Sequence, residues 1–148
     1  MSFPKKVVIA VDTSKPMEIL EPIRALDWLQ EAEIHLVHVF QLVNYGDGLS
    51  FNVAFPFHED RNQLSEAVIA KLQSMSPDFM PYVHIGKVVF QCLFDDKPKQ
   101  RVLQYIMDEA IDLTIIATRD KKGVFESSFA SHLCLHSSSC VMVVKQAI

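Results

Sequence analysis

Five short apolar runs recur along the chain: "KVVIAV" (Lys6–Val11), "EIHLVHVF" (Glu33–Phe40), "YVHIGKVVFQC" (Tyr82–Cys92), "DLTIIAT" (Asp112–Thr118) and "CVMVVK" (Cys140–Lys145). They are partly β-branched, and the first and fourth are almost unbroken hydrophobics, the pattern of parallel strands covered on both faces. The segments between them carry helical spacing. "EPIRALDWLQEA" sets Ile23, Leu26 and Leu29 on one face, with Trp28 and Ala25 beside it and Pro22 suited to a first helical turn. "EDRNQLSEAVIAKLQSM" lines up Leu64, Val68 and Leu72, with Ala67 and Met75 near them. "PKQRVLQYIMDEA" repeats at Val102, Ile106 and Met107, and "FESSFASHLCLH" spaces Phe125, Phe129 and Leu133 by four.

Strand alternating with helix up to a final strand predicts an α/β domain: a single doubly wound sheet of five parallel strands with helices on both faces. With 148 residues, one domain over 1–148 is expected, large enough to bury a core of its own. No internal repeat, low-complexity tract or linker interrupts it. Sheets of this kind bind ligands beyond the carboxyl ends of their strands, where the strand order reverses. The stretches to search are therefore Asp12 to Ser14, Val39 to Leu42, Phe94 to Pro98 and Thr118 to Ser128.

A formal net charge of −4 gives no general attraction to nucleic acid or to an anionic membrane. No apolar run approaches the ~20 residues of a membrane-spanning helix. The apolar stretch of "MSFPKKVVIAV" stops at Asp12, short of a signal-peptide core, so cytoplasmic retention is the expectation. Cys92, Cys134 and Cys140 form neither a disulfide framework nor a zinc pattern, and Cys92 and Cys140, in strand-like runs, read as buried inert thiols. His132 and His136 lie four apart on a helix and face one side, but no HExxH glutamate or third ligand accompanies them. They read as histidines of a partly exposed final turn, with no metal site. His35 and His38 alternate to opposite faces of their strand, and His38 reads as a satisfied core histidine. "ESSFASH" lacks the G-x-S-x-G setting of a nucleophilic serine, and no general base or metal-carboxylate pair is evident, so an enzyme is the less favoured class. The connection from Gln41 to His58, with Tyr45, Phe51, Phe55 and Phe57, exceeds the ~2–6 residues usual in α/β units. It reads as a flap tucked onto the domain or as a partner-docking surface over 45–57.

The order of these strings resembles the universal stress protein family across essentially the whole chain. "VVIAVDTS" is similar to the family's first strand ending in V-D-x-S, and "RALDWLQEAEIHLVHVF" to its first helix and second strand. "RVLQYIMDEAIDLTIIATRDKKG" is similar to its third helix, fourth strand and following turn, and "CVMVVK" to its last strand. The resemblance implies a Rossmann-like, adenine nucleotide alpha hydrolase-like fold, a role in stress response, and a homodimer paired through the last strand, 140–145. It also implies that Asp12, with Thr13 beside it, and Val39 hold the adenosine end of a ligand. The simpler reading of Asp12 is a cap or turn residue.

Nucleotide-binding members carry G-x-x-G-x9-G-[ST] after the fourth strand, where glycines let the backbone approach phosphates and a helix start points its amides at them. Here the first glycine position is Ala117 and the second is Asp120. The final pair falls on Ala130–Ser131 or, with a shorter loop that keeps the last helix in register, on Ser127–Ser128. Either way the motif glycines are gone, and Gly123 is displaced from their positions. The turn before the third helix, Asp96-Lys97-Pro98, keeps the family's proline and loses its glycine. A carboxylate at Asp120 meets a triphosphate as a like charge, costing about 4 kcal/mol per contact at ~4 Å and an effective dielectric of ~20, before screening. Arg119, Lys121 and Lys122 offset that charge, and Ser127 and Ser128 offer hydroxyls and helix-start amides. The expectation is a stress-protein-like regulatory or binding module without tight ATP binding and with no resident cofactor. The alternative is an adenine-nucleotide switch that takes ATP, ADP or AMP through a modified phosphate loop.

Overall fold

The computed structural model describes residues 4–11, 17–46, 52–55, 58–79, 87–119 and 128–146. Five parallel strands form one sheet: β1 (Lys6–Ala10), β2 (Glu33–Gln41), β5 (Val88–Asp95), β6 (Leu113–Arg119) and β7 (Cys140–Gln146), in the order β5-β2-β1-β6-β7. A separate antiparallel hairpin joins β3 (Val43–Gly46) to β4 (Asn52–Phe55). The helices are α1 (Met17–Ile23), α2 (His58–Phe79), α3 (Pro98–Asp108) and α4 (Ser128–His136).

Each central strand alternates its apolar side chains between two cores. Val7 and Ile9 of β1, Ile34 and Leu36 of β2, and Leu113 and Ile115 of β6 pack with Ile19, Leu20 and Ile23 of α1 and Val68 and Leu72 of α2. Val8, Val37 and Ile116 point the other way, against Val102, Tyr105 and Ile106 of α3 and Ala130 and Leu133 of α4. Helices therefore cover both faces, the doubly wound arrangement the sequence predicts.

Local departures from the expected elements have physical causes. The helix expected over Glu21–Ala32 begins upstream and splits: α1 ends at Ile23, and Asp27–Glu31 is a separate 3-10 helix. Pro22 stands in the last turn of α1, not the first; without an N–H it cannot extend the α-helical ladder. The amides of Arg24, Ala25 and Leu26 turn instead to carbonyls three residues back, at 3.2, 3.4 and 2.9 Å. The strand expected over Tyr82–Cys92 runs from Val88 to Asp95, residues 81–86 lying outside the described residues. The long connection after β2 contains the β3–β4 hairpin, pairing Val43 with Phe55 and Gly46 with Asn52. Met107, expected on the buried stripe of α3, is 66% exposed, because Val102 and Ile106 point inward and position 107 turns away. Cys140, expected to be buried, is exposed at the start of the edge strand β7. Cys92 is half-buried, and burial pushes its thiol up to about 11, as suits an inert cysteine.

The amino ends of the strands are tied by polar groups. One carboxylate oxygen of Asp112 accepts the amides of Lys5 and Lys6, at 3.1 and 3.0 Å. Buried His35 lies between Glu33 Oε2, 2.8 Å from Nε2, and the Tyr105 hydroxyl, 2.6 Å from Nδ1. The Glu33 carboxylate accepts, so Nε2–H donates to it, and Nδ1 pairs with the phenolic hydroxyl. The hydrogen bonds from His35 and then Lys87 hold the Glu33 carboxyl down at about 2, while burial raises the Tyr105 hydroxyl to about 12. Helix α3 closes on a Schellman turn, with Ile111 N–H bonding Ile106 O at 3.0 Å and Ala110 N–H bonding Met107 O at 3.3 Å. The residue at its left-handed position is Ala110, with φ 52°.

Two substitutions test these features by chemical denaturation. Ala110→Gly removes the Cβ from a left-handed residue and is expected to stabilise the domain by about 1 kcal/mol; a loss of stability would show that the turn does not need that conformation. Tyr105→Phe leaves His35 Nδ1 buried without its hydroxyl partner and is expected to cost about 1–3 kcal/mol. An unchanged midpoint would remove the hydroxyl from the network.

Candidate ligand crevice

The chain builds outward from β1 through β2 to β5, then returns to place β6 on the other side of β1 and β7 beyond it. Strand order reverses between β1 and β6, so the crevice beyond their carboxyl ends is the place for a ligand. A cavity of about 440 Å³ lies there, within the ~300–1,000 Å³ typical of small-molecule sites.

Each wall comes from an identifiable element. The tips of β1 and β6 supply Ala10, Val11, Ile116 and Ala117, and β2 supplies Val37, His38, Val39 and Gln41. Helix starts close the sides: Ile19 of α1, Pro98 and Val102 of α3, and Phe129 of α4. Pro98 is the first residue of α3, where a missing N–H is harmless. The turn before it is pinned by Asp95 Oδ1, which accepts the Lys97 amide at 2.8 Å. That hydrogen bond is the chief cause holding the Asp95 carboxyl below its ordinary range.

His38 does more than fill a core. One ring nitrogen, Nδ1, donates to the Val11 carbonyl at 2.8 Å, tying the end of β2 to the chain leaving β1. The ring also meets Phe40 edge-on at 4.5 Å, and Phe40 stacks on Phe94 at 5.3 Å. The Arg61 guanidinium lies 5.9 Å over the Phe94 ring. These contacts run from the crevice to the start of α2.

Of the residues singled out in the sequence, Val39 and Ala117 line the crevice together. Arg119 ends β6 and Ser128 begins α4 at the same end of the sheet. Asp12, Thr13, Asp120 and Ser127 lie outside the described residues, as do Lys121, Lys122, Gly123 and Phe125. The start of α4 at Ser128 places Ala130 and Ser131 within the helix, and Ala130 is buried. Sequence reasoning assigned His38 and Phe129 to the core and passed over Gln41, Pro98 and Val102 as wall residues. The first two sit at the carboxyl tip of β2 and the first turn of α4, where core and crevice share the same apolar residues. Gln41 and Pro98 fell inside the searched stretches but carried no distinctive chemistry. Among the described lining residues none is Lys, Arg, Asp or Glu and none is glycine. This part of the crevice suits a flat, largely apolar group and offers no charge to a phosphate.

Neither a family model nor a curated protein matches the sequence. Solved structures do match the fold. The universal stress protein UspA from Lactobacillus plantarum superposes with a TM-score of 0.60 at 15% identity, covering 97% of this chain and 99% of that one. A universal stress protein family protein from Arabidopsis thaliana with AMP bound gives 0.57 at 19% identity, covering 97% and 93%. A universal stress protein in complex with cAMP gives 0.64 at 10% identity, covering 99% and 100%. At these identities the likeness is one of fold, and it spans nearly all of both chains: the five-stranded, doubly wound domain described above has the fold of the universal stress proteins.

Proposed function

We propose that the chain is a cytoplasmic stress-response module of the universal stress type, regulatory or binding in character, that has kept the family crevice and lost tight ATP binding. The observation that carries this reading is the composition of the crevice. Ala117 stands in its wall at the first motif-glycine position, and no glycine or charged residue joins it among the described lining residues. Asp120, three positions on, adds a carboxylate where the family motif has its second glycine. The module works as a homodimer paired through β7. Among the described residues β7 is an edge strand with no neighbour beyond it, and its Val143 is 37% exposed, a surface for a partner strand. The segment 45–57, which includes parts of the β3–β4 hairpin, is the surface offered to a protein partner.

A second reading keeps an adenine nucleotide of monophosphate size in the crevice. It is favoured by the Arabidopsis and cAMP-bound structures, whose ligands carry a single phosphate. Val39 and Asp12 would hold the adenosine end, while Arg119 and the serines 127 and 128 would meet the phosphate.

Native mass spectrometry of the freshly purified chain, followed by titration with ATP, ADP and AMP, separates these readings. The expected result is a dimer that takes up no ATP, with Asp120→Gly raising ATP affinity by about tenfold or more, equivalent to ~1.4 kcal/mol. AMP binding without ATP binding would select the second reading. Co-purified ATP would overturn both, and a monomer would remove the β7 interface.

A further inference from the structure

We propose that His132 and His136 form a two-imidazole chelate for a late first-row divalent cation, Cu²⁺ and Ni²⁺ foremost and Zn²⁺ after them. The two residues lie one turn apart on α4, and neither lines the crevice that Phe129 of the same helix helps to close. Leu133 and Ala130 anchor the helix in the core at 0% and 6% exposure, fixing which way its other faces turn. His132 is half-buried and His136 is exposed, so the pair is reachable from solvent and rooted on a packed element. The Ser137 amide bonds the Leu133 carbonyl at 2.8 Å, which keeps the last turn closed beneath His136.

The rings themselves supply the geometric argument. Their centroids are 4.6 Å apart with the planes tilted by 49°. Two imidazoles bound to one ion at ~2.0–2.1 Å, at about a right angle to each other, would have centroids about 4.5 Å apart. Each ring turns freely about its metal–nitrogen bond, so the tilt is no obstacle. The observed centroid separation is thus the one a two-imidazole chelate requires. Among the described residues neither ring has an ion-pair partner, so no carboxylate there competes for the nitrogens. Neutral imidazole donors at adjacent positions favour Cu²⁺ most strongly among divalent ions of this row, then Ni²⁺ or Zn²⁺. No group of three metal-binding side chains occurs among the described residues, so water fills the remaining positions of the ion. The affinity is accordingly that of an open, exchangeable site and not of a structural zinc centre.

Copper and nickel titrations of the full chain test this, using electron paramagnetic resonance for Cu²⁺ and calorimetry for Ni²⁺. The wild type is expected to take one ion per chain, with a copper signal split by two equivalent nitrogens. His132→Ala and His136→Ala should each weaken binding by about tenfold or more, because one imidazole alone lacks the chelate's effective concentration, and the double variant should lose binding at this site. Circular dichroism confirms that α4 survives these surface substitutions. Binding of equal strength in the double variant would overturn the proposal by placing the ion elsewhere. Single variants that each retain half of the bound metal would also overturn it, because they describe two independent imidazoles.

Discussion

β1 is hydrogen-bonded along both edges, to β2 on one side and to β6 on the other, and it is buried on both faces. Val7, Val8 and Ile9 therefore have to satisfy two cores at once, with Val7 and Ile9 turned to α1 and α2 and Val8 to α3 and α4. A strand in that position has no polar side to give away, which explains its nearly continuous hydrophobic sequence. The two halves of the chain meet at its edges. Because α1, which follows β1, packs on one face and α4, which follows β6, packs on the other, the chain leaves the two neighbouring strand tips toward opposite faces and a gap opens between them. The crevice is a geometric residue of this placement, and it persists whatever side chains line it.

That distinction between scaffold and lining bears on how a ligand is kept or lost. The described wall is largely apolar, and its polar members are the Gln41 amide and the His38 imidazole. A planar base is accommodated by burial of apolar surface, which needs no special backbone geometry. A polyphosphate needs close backbone approach and compensating charge, which are demands of a different kind. Substituting glycines in one turn can therefore remove phosphate recognition and leave the remaining pocket in place. The aromatic contacts from His38 through Phe40 and Phe94 brace the pocket from the α2 side without involving that turn.

The architecture was legible because its signals are periodic and redundant. All five sheet strands lie within the apolar runs or overlap them, and the helices that bury Val68, Leu72, Val102, Ile106 and Leu133 follow the expected spacing. Errors arose where one residue has two compatible roles. Pro22 suits a first helical turn from sequence, but the helix had already begun at Met17. Met107 follows the apolar spacing of α3 yet lies one position off its buried face, and Cys140 has a strand-like neighbourhood but occupies an edge. Val39 falls in a stretch the topology rule selects and Ala117 at a family-motif position one residue before another such stretch, and both line the cavity. His38 and Phe129 were not legible as wall residues, because an apolar environment does not reveal whether its far side is core or cavity. The ring contact between His132 and His136 depends on rotamers, which spacing alone leaves open.

The two ends of the sheet are held by different means. At the amino ends, Asp112 gathers the amides of Lys5 and Lys6, and the line from Glu33 through His35 to Tyr105 joins β2 to α3. None of these groups lines the crevice at the opposite end. These polar ties at the amino ends are thus spatially separate from the surface that meets a ligand. A lineage carrying this fold can drift in ligand chemistry, exchanging one small molecule for another or for none, while the polar ties at the far end of the sheet stay untouched.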